Sequence, residues 1–389
     1  MSSTIPSPFA RPVPGLRIQE WALTIPRPSR EEIDSFPEEA AGLLDQTWKA
    51  QEALLARDSY ALEWVKGSHF LLAGATGSGL GGALSSAVLN LLENQGSLTV
   101  ISRDLKRSVG YESGVALEKR AEAAGLGKRY HWSNHGMALE GKDLERTVSA
   151  LREAGAERLV YINTVAAAIS GVRPGYPPVY VKDVDGEGLF LWKLPALDER
   201  SLEANRFVMG TLAVQFPAEL EKAGFRIEAT AFADWRGSLD RISRDPSAPE
   251  YGRQGAYSTS LYLPKDVQQE ATSAAYGSGK VVQNFFLPVM RTRALSFVPG
   301  GMAMSRIYDT LMEAEGIRRV EVPELAVAML DRIGRAIRGE DRNPFPRLDG
   351  HEAPLDSWFL EVALRLQEDP ASGFHFARWI RKSRNVRSP

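Results

Sequence analysis

Between Phe70 and Ile101 the chain passes from a short apolar run into a glycine-dense turn, then into a helical pattern and a second apolar run. The turn reads Ala73-Gly-Ala-Thr-Gly-Ser-Gly-Leu-Gly-Gly-Ala83, with five glycines among the nine residues from Gly74 to Gly82. No other feature constrains the fold as much. A strand leading directly into a tight turn and a helix, with a second strand roughly 30 residues on, is a βαβ unit, whose crossover makes its two strands parallel. Glycines at the turn let the backbone approach a pyrophosphate, whose charge is met by free N–H groups and the positive end of the helix. Gly74, Thr76, Gly77, Ser78, Gly79, Leu80 and Gly81 are therefore candidate dinucleotide-binding residues. The plainer alternative is a glycine-rich turn that binds nothing.

The alternation continues along the chain. Helical patterns at 114–124, 143–154 and 202–223 alternate with apolar segments at 129–132, 158–162 and 226–231, and a helical pattern from Lys265 to Val289 leads to an expected strand at Ala294 to Val298. Strand–helix alternation predicts an α/β fold: a Rossmann-type, doubly wound parallel sheet with helices on both faces. Two stretches, 170–200 and 236–256, break the rhythm and read as insertions beside the active site, the first as a loop or hairpin. Residues 1–37, rich in proline and serine, read as an extended arm before a single large domain over 38–389, whose part from 302 onward is mainly helical.

Composition excludes several classes. A net charge of −2 supplies no basic field for nucleic acid, and the absence of cysteine removes disulfides, thiolate nucleophiles and cysteine-held metals. His131 and His135 stand four apart with no third ligand near them, so no metal site is expected. The first residues lack a basic, apolar leader pattern and no apolar run reaches membrane-spanning length, so a cytoplasmic monomer or homodimer acting on a small molecule is expected. Arg378, Arg381, Lys382, Arg384 and Arg387 read as a solvated basic tail, with docking of an acidic carrier protein as the alternative.

After the second strand comes Ser102-Arg103-Asp104. An arginine here accommodates the 2′-phosphate of NADP, whereas an acidic residue holds the ribose hydroxyls of NAD. Arg103 comes first, which favours NADPH; Asp104 keeps NADH possible.

The chain resembles the FabV-type trans-2-enoyl-CoA/enoyl-ACP reductases, an enlarged branch of the short-chain dehydrogenase/reductase superfamily. The resemblance spans most of 70–350 and rests on landmarks in the same order: the glycine turn, Gly110-Tyr111, Leu159-Val-Tyr-Ile-Asn-Thr-Val-Ala166, Val208-Met-Gly210, Thr230-Ala-Phe232 and Met304 to Gly316. It implies an NAD(P)H-dependent reductase of fatty acid or polyketide metabolism, acting on a thioester that a carrier protein can present. It also implies that Asn134 and His135 lie near the adenine, and that Thr164, Val165 and Ala166 line the cofactor. There are departures. The family's N-terminal Thr-His-Pro segment has no counterpart, Ala167 replaces a proline, Arg103 displaces an acidic residue, and Asp234-Trp235 stand where a tyrosine follows Thr-Ala-Phe.

Such chemistry moves a hydride to an electrophilic carbon while a tyrosine hydroxyl meets the charge growing on oxygen and a lysine ammonium supports both tyrosine and cofactor. The family pattern is tyrosine, eight residues, lysine; Tyr257 and Lys265 have seven between them. Tyr276-Gly-Ser-Gly-Lys280 instead fits the Tyr-x-x-x-Lys signature of ordinary short-chain reductases. With Arg293 taken to open the next strand, Lys280 precedes it by 13 residues and Lys265 by 28, and the longer spacing matches the resemblance. Tyr257 and Lys265 are the leading catalytic pair; Tyr276 with Lys280, Tyr251, or no pair remain open. Tyr276 with Lys280 would favour a carbonyl (β-oxo) reductase of specialised metabolism, and no pair a non-catalytic dinucleotide-binding protein.

Overall fold

The computed structural model describes residues 17–20, 29–77, 79–93, 95–104, 106, 108–165, 179–185, 188–194, 203–235, 255–288, 290, 312 and 316–348, with only the backbone at 17–20, 57–61, 179–185, 188–194, 235 and 255–264. Strand β1 (Arg17–Glu20) is followed by the long helix α1 (Arg30–Asp58) and a 3-10 turn (Ser59–Val65). The start of α1 is set by a capping box. The Glu32 N–H donates to Ser29 Oγ at 3.1 Å and the Ser29 N–H to Glu32 Oε2 at 2.6 Å. Residues 30–37, read from sequence as part of an extended arm, are thus helical despite Pro37.

The chain then runs through β2 (His69–Ala73), α2 (Leu80–Leu91), β3 (Ser97–Ile101), α3 (Val109–Ala123), β4 (Tyr130–Ser133), α4 (Gly141–Glu153) and β5 (Arg158–Asn163). An antiparallel hairpin, β6 (Val179–Asp185) and β7 (Gly188–Leu194), carries β1 in parallel on its β7 side. Next come a π-turn (Arg206–Thr211), α5 (Leu212–Lys222), β8 (Arg226–Trp235), α6 (Gly255–Ala275), β9 (Val281–Leu287) and α7 (Val322–Ile337).

Among the described residues, six strands form a wholly parallel sheet in the order β4-β3-β2-β5-β8-β9. This is the doubly wound Rossmann order, whose direction reverses between β2 and β5 and opens a crevice at the carboxyl ends of those strands. Both faces are covered, as the alternation of side chains shows. Phe70, Leu72, Val160 and Ile162 pack towards α1, α2 and α7, while Leu71, Tyr161 and Phe232 pack towards α4 and α5. Tyr161 meets Phe216 of α5 edge to face at 5.8 Å between ring centroids. Full burial of side chains of this size stabilises by about 1.5–3 kcal/mol each, which anchors the layers to the sheet.

One strand lies elsewhere than its sequence pattern implied. The strand that follows α6 is β9 at Val281–Leu287, inside the stretch read as helical, and 294–298 lies outside the described residues. Helix α6 stops at Ala275 because Gly277 and Gly279 adopt left-handed backbone (φ 85° and 81°), after which Val-Val-Gln-Asn-Phe-Phe-Leu supplies β-branched and aromatic residues suited to a strand. The spacings counted to Arg293 therefore had the wrong end point. Lys265 precedes Val281 by 16 residues and Lys280 by one.

Candidate active site

At the carboxyl end of β2 the chain turns sharply, with Gly74 and Gly77 at φ 74° and 81°. Gly79 takes the cap position of α2 and no side chain caps the helix, so its first-turn N–H groups carry the positive helix end without a side-chain acceptor. The turn is locked to its neighbours on both sides, β3 and β5. The Gly74 N–H donates to Ile101 O and the Thr164 N–H to Ala73 O, extending the ladders past the strand ends. Thr164 Oγ1 lies 3.0 Å from both Ala73 O and Gly74 O, sharing its proton between two carbonyls. A methyl on Gly74 would meet Val165 at 3.0 Å, and one on Gly81 would meet Gly74 O at 2.5 Å, Thr164 Oγ1 at 2.6 Å and Ala75 Cα at 2.7 Å. Glycine is thus required at Gly74 and Gly81 by close approach of neighbouring atoms. From behind, the buried Gln51 of α1 donates to Ala83 O at 2.8 Å, tying the long helix to α2.

Beside the turn, past β3, the side chains divide into structural and exposed ones. Ser102 is buried and its hydroxyl accepts from Trp132 Nε1 at 3.0 Å. Asp104 accepts from the Thr76 hydroxyl at 2.6 Å, and its carboxylate lies against Gly110 at the start of α3. Asn134 grips the Asp104 backbone twice, accepting from its N–H at 2.9 Å and donating to its carbonyl at 3.0 Å. Arg103 is exposed, with its chain over Gly136. His135 is buried, its ring Nδ1 3.0 Å from the Gly136 carbonyl. Ser78 and Ala166 lie outside the described residues.

Two strands over, Lys265 of α6 is 7% exposed and its ammonium donates to Ala233 O at 2.7 Å. Ala233 is one residue beyond Phe232, which sits level with Asn163 and, through it, with Ala73. The Lys265 ammonium therefore stands at the same edge of the sheet as the glycine turn, roughly two strand spacings, or 10 Å, away. The adjacent Asp234 is buried and accepts from Gln269 at 2.8 Å and from Asn284 at 3.2 Å, joining β8, α6 and β9. Tyr257 lies on the α6 backbone two turns ahead of Lys265, roughly 12 Å along the axis.

The rival pair sits at the wrong end. Tyr276 is 66% exposed, and Lys280, immediately before β9, pairs with both oxygens of Glu221 at 3.0 and 3.1 Å. That is the amino edge of the sheet, a strand length from the crevice. Residues that the sequence did not single out include Asn163, whose buried amide accepts from the Val165 N–H and donates to Tyr161, and the amides of Gln268, Gln269 and Asn284. Only Asp234 carried a signal, as a departure from the family pattern.

The fold and this site define a Rossmann-type α/β protein with a glycine-lined crevice at the carboxyl ends of β2 and β5. No protein-family model matches the chain, and no curated protein matches it in sequence. Solved structures do. The chain is similar to a trans-2-enoyl-CoA reductase of Clostridium acetobutulicum in complex with NADH, at 13% identity over 88% of this chain and 89% of that one, with a TM-score of 0.59. It is similar to the trans-2-enoyl-CoA reductase of Treponema denticola in complex with NAD, at 13% identity over 86% and 87%, with a TM-score of 0.58. An enoyl-acyl carrier protein reductase of Bacillus cereus, with NADP+ and indole naphthyridinone, matches at 10% identity over 74% and 97%, with a TM-score of 0.51. These likenesses show a shared fold, extending over nearly the full length of the first two. Among the described residues, no helix is long and apolar enough to cross a membrane, and no group of three His, Asp or Glu is placed to hold a metal ion.

Proposed function

We propose that the chain is a distant member of the enoyl-thioester reductase branch of the short-chain reductases and transfers a hydride from NADPH to the activated C=C bond of a 2-enoyl thioester. The observation that carries this reading is a buried lysine, Lys265, at the same sheet edge as an uncapped, glycine-lined helix start. The similar structures support the cofactor class, since they are complexes with NADH, NAD and NADP+.

The residues fit a dinucleotide. The first turn of α2, from Leu80 and Gly81, would take the pyrophosphate, with Gly74, Thr76, Gly77, Ser78 and Gly79 shaping the approach. Asp104 is engaged by Thr76 while Arg103 stands exposed, so the guanidinium is the group available to a 2′-phosphate, which supports NADPH over NADH. Asn134 and His135 would meet the adenine side of the cofactor, and Thr164 and Val165, which follow β5, would line its course. The bound dinucleotide would supply the hydride that reaches the β-carbon of the substrate. As the C=C electrons move to the thioester oxygen, the Tyr257 hydroxyl would hydrogen-bond the developing enolate. Lys265, about two turns on, would hold the nicotinamide ribose. A proton then completes the saturated thioester at the α-carbon.

The test is cofactor consumption with crotonyl thioester and with acetoacetyl thioester in parallel. Faster consumption with the crotonyl compound supports enoyl reduction. Turnover of acetoacetyl thioester alone would make the protein a carbonyl reductase, and binding without consumption across a substrate panel would make it a non-catalytic dinucleotide-binding protein.

A further inference from the structure

Helix α6 is fixed by its inward face, on which Lys265, Gln268 and Thr272 are all buried and recur at three- and four-residue intervals. Gln268 is fully buried, and its Nε2 donates to the Met209 carbonyl at 2.5 Å. Met209 lies in the π-turn that precedes α5, where the Leu212 N–H reaches back five residues to Phe207 O. A π-turn widens the helix and displaces carbonyls from the regular ladder, and such turns recur at functional sites. Here a carbonyl of that turn points at α6 and is met by an amide one helical turn from Lys265. The next residue, Gln269, is tied to Asp234 at the end of β8. Consecutive glutamines therefore hold α6 from two sides, one against the π-turn and one against the strand.

We propose that Gln268 is the positioning residue of this site: its bond to the π-turn carbonyl of Met209 fixes the rotation of α6 and thereby the place of the Lys265 ammonium. The inference rests on the reading of Lys265 as the group that holds the nicotinamide ribose. Rotation matters because the ammonium donates to the Ala233 carbonyl, and a turn of the helix by a few tens of degrees would carry a side chain of that length past it. Leucine or methionine at 268 would preserve the volume but leave the Met209 carbonyl without its donor, so that the π-turn and α6 are free to settle differently.

The experiment compares two ligands in titrations of the full chain: NADPH, and 2′-phospho-ADP-ribose, which lacks the nicotinamide. Gln268→Leu and Gln268→Met should weaken NADPH about tenfold while leaving the fragment unchanged, because only the nicotinamide half meets Lys265. Turnover number should fall about 10- to 100-fold with little change in the KM for the thioester. Unchanged affinity for both ligands, or an equal loss for both, would overturn the positioning role, the second pointing to general loosening. If neither variant folds, hydrogen exchange in the wild type decides: protection of 205–212 and of α6 should rise with NADPH and not with the fragment, and equal protection by both overturns the proposal. A wild-type chain that binds neither ligand would refute the dinucleotide reading itself, and this inference with it.

Discussion

Gly81→Ala places one methyl group where the structure has no room. Its nearest neighbours would be Gly74 O at 2.5 Å, Thr164 Oγ1 at 2.6 Å and Ala75 Cα at 2.7 Å. Ordinary contact to carbon is about 3.5–4.0 Å, so each separation is roughly 1 Å short. Two of the three atoms belong to the backbone and cannot rotate away. The third, the Thr164 hydroxyl, is held by the Ala73 and Gly74 carbonyls at 3.0 Å each. The turn must therefore move away from β5, breaking the shared hydrogen bond that sets its height. Overpacking of this kind costs about 1–3 kcal/mol. If the displacement falls on the phosphate cradle, the same range corresponds to a roughly 5- to 150-fold loss in NADPH affinity. The control is Gly42→Ala on α1, where a methyl meets nothing within 4 Å and helix propensity predicts a gain of up to about 1 kcal/mol. Isothermal titration with NADPH and urea midpoints for both variants would be measured. A folded Gly81→Ala chain that binds NADPH as the wild type does would refute the close-approach argument.

Other substitutions probe separate parts of the account. Arg103→Ala should weaken NADPH by about 1.5–3 kcal/mol and spare NADH, as measured by parallel titrations; equal loss for both would remove Arg103 from the 2′-phosphate site. Tyr257→Phe should lower turnover about 100-fold or more with cofactor affinity unchanged, and Lys265→Ala should lower both, whereas Tyr276→Phe and Lys280→Ala at the opposite sheet edge should leave both intact. Burial raises the pKa of Tyr130 above the usual tyrosine value, with Glu118 adding to it. A raised folded pKa means that stability is complete below about pH 10, where the unfolded tyrosine begins to ionise, and declines above it. Tyr130→Phe also removes a buried hydroxyl that has no partner among the described residues, so it should be neutral or stabilising by about 1 kcal/mol at pH 8. Its advantage in urea midpoint should widen above pH 10, and a constant difference would contradict the assignment.

The parallel sheet was legible in the sequence because each strand is a short apolar run bounded by a turn, and because the glycine turn pins the register of the first βαβ unit. The start of α1 was legible in principle from Ser29 and Glu32, yet the proline-rich segment around it concealed the capping box. The strand after α6 was misplaced because Val281 to Leu287 has no polar alternation that separates a buried strand from a buried helix; the preceding Gly-Ser-Gly was the available signal. The sharp turn after β2 could be read from its glycines, since Gly74 and Gly77 take left-handed backbone and Gly74 and Gly81 have no room for a side chain. The clamp around Lys265 could not. Gln268, Gln269 and Asn284 are common on exposed faces, and what distinguishes them is hydrogen bonding to partners from 35 to 59 residues away in sequence, which no local pattern encodes. The π-turn at Arg206–Thr211 likewise has no sequence signature.

The central claim is tested most directly by following the isotope. Wild-type protein would be incubated with crotonyl thioester and NADPH carrying deuterium at the transferable position, and the product examined by mass spectrometry and NMR. The account predicts a saturated butyryl thioester with one deuterium at the β-carbon, formed in proportion to cofactor consumed. Unchanged crotonyl thioester beside unconsumed cofactor, or deuterium delivered only to a carbonyl carbon when acetoacetyl thioester is supplied instead, would contradict it.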